Sequence, residues 1–155
     1  MKLQAFNLVH SAAMALLPAH LTCAESKAML IAIAMQSSQF SFRRELMGHD
    51  RSFWALGAQT HIKVVAEHEL TRGPIAAVCD ALCYDTSVFS AYMAVEHNDI
   101  LACAYARLLL SLVPGKLPSR DQPQLGWDQY LAVWRPSHPR PEPWPVHFRR
   151  AWDAV

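Results

Sequence analysis

Residues 100–112 read ILACAYARLLLSL. Such a run is apolar nearly all the way round a helix, and a helix of that kind is buried on every side. Asn98 or Asp99 is placed to cap its start, and Pro114-Gly115 stops it. The reading is of a central helix around which the rest of the chain packs.

Outward from this segment, residues 1–113 keep a helical period. Ala, Leu, Met and Ile recur at spacings of three and four, with almost no strand-like alternation. Thr22 with Glu25 has the form of a capping box, opening a helix through Met29, Ile31, Ile33 and Met35 to about Ser37. Residues 38–52 (SQFSFRRELMGHDRS) are polar and irregular, and the apolar patch Phe53-Trp54-Ala55-Leu56 follows. Further helices are expected over 61–70, over 74–83 with Pro74 at its start, and over 88–96 with Thr86 or Ser87 as cap. Residues 5–18 (AFNLVHSAAMALLP) have some look of a signal peptide. Asn7 and His10 interrupt the apolar run, which is too short and too polar to span a bilayer. It reads as a core or docking helix.

Beyond residue 113 the chain changes character, with eight of its ten prolines. Residues 124–134 still carry Trp127, Tyr130 and Trp134 at helical spacing, but 135–145 (RPSHPRPEPWP) must be extended. Pro145 opens a short terminal helix carrying Phe148 and Trp152. The expectation is an all-α fold in a single domain, 1–155. It divides into an N-terminal helix (1–20), a helical core (21–113) and a Pro-rich strap with two short helices (114–155), Trp144 anchoring the strap. The other reading of the Pro-rich segment is a ligand for a partner's aromatic groove.

Composition narrows the function. Apolar residues make up 52% of the 155 and charged residues 17%, a globular balance with aromatic surface to spare for partners. The net charge is +1 with no basic stripe, so no specific nucleic-acid partner is expected, and no membrane span. Cys23, Cys79, Cys83 and Cys103 each lie in apolar helical sequence and read as buried free thiols suited to a reducing cytoplasm. No metal site and no cofactor is expected. Adjacent residues of a helix do not face one another, so Glu67-His68-Glu69 and Glu96-His97-Asn98-Asp99 make no site by themselves. Their histidines read as surface groups.

Residues 29–68 also carry a resemblance. Ala32-Ile33-Ala34-Met35-Gln36-Ser37-Ser38-Gln39-Phe40 is similar to a helix end reading Ala-Ile-Gly-Leu-Gln-Glu-Ser-Arg-Phe, and Arg43-Arg44 to an Arg-Arg pair that follows it. Gly48-His49-Asp50-Arg51-Ser52-Phe53-Trp54-Ala55-Leu56-Gly57 is similar to Gly-Pro-Ala-Arg-Gly-Phe-Trp-Gln-Phe-Glu. These patterns belong to a phage-encoded family of lysozyme-like, or lytic transglycosylase-like, proteins. Asn98 to Ala102, Ala106 to Leu110, and Tyr130 with Trp134-Arg135-Pro136 extend the likeness over about residues 20–155.

The resemblance implies a lysozyme-like helical domain and, for the family, cleavage of peptidoglycan glycan strands. That reaction needs a carboxylic acid of raised pKa held beside the glycosidic oxygen. The family's catalytic Glu is Ser37 here, and a hydroxyl is no usable acid near neutral pH. The cleft positions implied by the family are Ser52, Phe53, Trp54, Ala55 and Gly57. Of these, Ser52 replaces a Gly, Ala55 a Gln and Gly57 a second Glu. Packing positions persist while reactive ones are lost, as in a fold that has outlived its activity.

The expectation is therefore a non-enzymatic structural protein of a phage virion, in the tail or genome-ejection apparatus and assembled in the host bacterial cytoplasm. Its partners would be other virion proteins (tail, portal or ejection components), with several copies present. One alternative is an active peptidoglycan-degrading enzyme using Glu45 or Asp50 as its acid. Another is a catalytically dead module that binds peptidoglycan.

Overall fold

The computed structural model describes residues 1–44 and 46–155. Among them the regular structure is helical: α1 (Leu3–Ala15), α2 (Ala24–Ser38), α3 (Lys63–Glu67), α4 (Arg72–Ala81), α5 (Val88–Ala94), α6 (Asp99–Leu110), α7 (Pro123–Trp134) and α8 (Trp144–Trp152). A 3₁₀ turn (Ala19–Leu21) precedes α2, and a π-helical turn (Ala58–Ile62) leads into α3. The all-α expectation holds, and no described helix is long and apolar enough to cross a membrane.

The central segment is α6. Leu101, Ala102, Cys103, Ala104, Ala106 and Leu110 are wholly buried, and α1, α2, α3 and α4 pack around the helix. Asn98 is the cap: its side-chain oxygen accepts from the Ile100 and Leu101 amides at 3.0 Å each. Asp99 sits in the first turn and Arg107 in the last, each where the helix dipole favours its charge. Arg107 is itself buried and donates through Nε to the Leu21 carbonyl at 2.7 Å, tying α6 to the 3₁₀ turn.

The second buried helix is α2, whose residues Ala28 to Ala34 are shut off from water. Its cap is one residue later than Thr22 and Glu25 suggest. Cys23 Sγ accepts from the Ser26 amide at 3.4 Å, and the Cys23 amide donates to Ser26 Oγ at 3.3 Å. The box therefore uses a thiol and a serine, a pairing outside the usual capping signature. Cys23 is in consequence exposed, as is Cys83, which lies past the end of α4 at φ 59°. Only Cys79 and Cys103 are the buried thiols expected. Helix α2 stops at Gln39 and Phe40, both left-handed (φ 52° and 55°).

Other boundaries shift slightly. Helix α4 begins at Arg72, so Pro74 sits inside its first turn. The 61–70 segment splits into the π turn and a short α3. Ser87 caps α5, accepting from the Ser90 amide at 3.2 Å.

The C-terminal region closes the molecule. Between α7 and α8, residues 135–143 form neither helix nor strand. Trp144, 2% exposed, lies stacked on Tyr130 (centroids 5.5 Å apart, planes at 13°), and its indole N–H donates to the Pro123 carbonyl at 2.8 Å. Helix α8 lays Phe148 and Ala151 against α2. Gly126 of α7 is what permits the close approach, since a Cβ there would stand 2.8 Å from the Phe148 ring. The strap is thus part of the core's cover, anchored by Trp144.

A candidate cleft at the end of helix α2

Ser37 lies in the last turn of α2, where the buried helix reaches the surface. It lines two adjoining hollows of about 400 and about 220 Å³, which share Ser37, Asp50, Ala55, Tyr130, Pro136 and Ser137 and so form one groove. Three stretches far apart in sequence build it: the end of α2, the irregular loop before residue 57, and α7 with the strap.

Each wall has a local cause. The loop folds back on itself through single bridges pairing Arg44 with Arg51 and Arg51 with Leu56. The Arg51 amide donates to the Leu56 carbonyl at 3.0 Å, and the Leu56 amide donates back at 2.7 Å. Closing so tight a turn puts Ser52 (φ 70°) and Ala55 (φ 50°) in the left-handed region, where glycine is the unstrained residue. Ser38, beside Ser37, fastens α2 to this loop by donating to the Phe53 carbonyl at 2.9 Å. The strap wall is held by Gln36. Its Nε2 donates to the Arg140 carbonyl at 2.7 Å, while its Oε1 accepts from His147 Nδ1 at 2.9 Å.

At the groove floor the Ser37 hydroxyl is buried and makes no hydrogen bond of normal geometry. It faces the phenol of Tyr130, whose pKa is raised, chiefly by burial. The Asp50 charge raises it further, while Ser37 and Arg140 act in the opposite sense. His61 stands behind. Its Nδ1 accepts from the Gly57 amide at 2.7 Å and its Nε2 donates to the Trp134 carbonyl at 2.9 Å, an arrangement that requires the neutral ring. Burial lowers its pKa, with the Trp134 carbonyl partly opposing.

The residues expected at the site separate into two sets. Ser37, Asp50, Ser52 and Ala55 do meet in the groove. Phe53 and Trp54 do not line it. They are 2% and 0% exposed and belong to the core, Trp54 donating its indole N–H to the Leu30 carbonyl at 2.9 Å. Gly57 is buried behind the groove, so close to Thr60 and Asp50 that a Cβ would stand 2.5 Å from Thr60 Oγ1 and 2.9 Å from Asp50 Oδ1. Glu45 falls outside the described residues.

Sequence reasoning missed His61, Tyr130 as a floor residue, and Arg140. The Trp134-Arg135-Pro136 similarity was the available signal for the strap wall, but nothing local marks His61 or Arg140.

Chemically, the groove holds hydroxyls, one described carboxylate and several guanidinium groups. Asp50 is exposed, so nothing shields its carboxyl from water. A general acid for glycosidic cleavage depends on such shielding to stay protonated. Among the described residues no group of three or more His, Cys, Asp or Glu is arranged to hold a metal ion. Compared with family models, curated proteins and solved structures, the chain matches none.

Proposed function

We propose that this chain is a non-enzymatic structural protein of a phage virion, built on a degenerate lysozyme-like fold and used in the tail or genome-ejection apparatus. The observation that carries the reading is the place of Ser37. It ends a buried helix at the floor of a groove, where the resembled family keeps its acid, and no described carboxyl is shielded from water there. Ser52 adds support. It stands where the family has glycine, and its φ of 70° is the conformation glycine favours. The virion context comes from the resemblance alone.

Asp50 is the described carboxylate that an enzymatic reading would need, and its exposure argues against that role. A murein zymogram separates the two readings. The protein should leave no cleared zone, and a zone abolished by Asp50→Asn or Glu45→Gln would overturn the proposal. Ser37→Glu should also fail to clear. A carboxyl placed there meets the Tyr130 hydroxyl and the charge of Arg140, both of which favour the ionised form over the protonated acid. Composition of purified virions tests the structural role, with the protein expected in several copies per particle.

A further inference from the structure

Three arginines, Arg44, Arg135 and Arg140, converge on the groove from its two opposite walls, the loop and the strap. Arg43 is there too, but its Nε and Nη2 donate to the Asp99 carboxylate, at 2.8 and 2.7 Å. Among the described residues no carboxylate lies within ion-pair distance of Arg44, Arg135 or Arg140. Asp50 is the one described carboxylate lining the groove. Among the described residues this is a local excess of positive charge. Its field reaches the floor, where Arg140 acts on Tyr130 and Arg135 on His61.

The loop rim carries a second feature. Phe42, 41% exposed, also lines the groove. A water-facing ring next to guanidinium groups that have no carboxylate partner among the described residues suits a ligand that brings both carboxylates and apolar side chains.

We propose that the groove binds an acidic segment of a partner protein, an extended stretch in which Asp or Glu alternates with apolar residues. Its carboxylates pair with Arg44, Arg135 and Arg140, and arginine forks suit carboxylates in particular. Its apolar side chains cover Phe42. Charge complementarity selects this occupant. A neutral glycan leaves the three arginines uncompensated. A nucleic acid finds no basic track beyond the groove. The inference stands on the groove's charge and does not depend on a virion location.

The test is fluorescence anisotropy with a labelled alternating Glu/Leu dodecapeptide, its Gln/Leu counterpart as the uncharged control, and a muropeptide as competitor. The acidic peptide should bind at least tenfold more tightly than the uncharged one, and binding should weaken as salt rises. Arg44→Glu with Arg140→Glu should weaken it at least tenfold, while Arg72→Glu, on exposed α4 surface, leaves it unchanged. Far-UV circular dichroism establishes that both variants keep the fold. Equal binding of the two peptides, no binding of the acidic one, or full binding by the double variant overturns the proposal. Displacement of the bound peptide by the muropeptide at lower concentration assigns the groove to glycan instead, and overturns it too.

Discussion

Two neighbouring serines at the end of α2 have opposite fates. Ser38 Oγ donates to the Phe53 carbonyl and accepts from the Phe40 amide at 3.2 Å, so it pins the loop that walls the groove. Ser37 Oγ is buried and faces the Tyr130 hydroxyl without a hydrogen bond of normal geometry. Removing a satisfied buried hydroxyl strands its partners, at about 1–3 kcal/mol, whereas removing an unsatisfied one is near neutral or stabilising. Ser38→Ala should therefore lower the urea midpoint clearly, and Ser37→Ala should leave it unchanged or raise it. An equal loss in both variants would show that Ser37 has a structural bond in solution. From sequence the two serines are indistinguishable, because the difference lies in which one the loop reaches. The likeness that singled out Ser37 gave its position but not its empty hydrogen-bonding state.

At the scale of elements, helices α6 and α2 were legible because continuous apolar sequence leaves no choice but burial. Caps were legible where the chemistry was ordinary, as at Asn98 and Ser87, and misplaced where a cysteine did the capping. The loop between α2 and α3 was not legible. Its shape comes from two tight bridges and from left-handed residues that are not glycine, and neither leaves a periodic trace. The strap had a plain signal in its prolines and in Trp144. What the prolines do not say is that Gln36 of α2 grips the strap through the Arg140 carbonyl, across 104 residues of chain. Because Trp144 fills the space between α7 and α8, Trp144→Ala should cost about 3–5 kcal/mol, as for other large aromatic deletions in a core. Thermal unfolding followed by circular dichroism measures this. A loss under about 1 kcal/mol would mean the strap is dispensable for folding and free to serve as a ligand for another protein's groove.

For the whole molecule, two buried histidines make stability depend on pH. His61 joins the π turn to the end of α7 as a neutral ring. His10 sits in α1, with its pKa lowered to about 4 by burial first, then by the charges of Lys27 and Arg107. Both pKa values are depressed in the folded state, so the unfolded chain takes up protons first as pH falls. The stability they contribute is complete above the unfolded histidine value, about 6.5. It declines as pH drops below that value, and the decline due to His10 ends near pH 4. For His61 there is a further local penalty, since a protonated Nδ1 can no longer accept from the Gly57 amide. Denaturation midpoints should fall steadily from pH 6.5 to 4.5. In His10→Leu that fall should be shallower, because one of the histidines that the unfolded chain protonates first is gone. A midpoint that stays level down to pH 5 in the unaltered protein would mean that neither ring is held neutral, and that α1 and the π turn open to water more readily than their packing indicates.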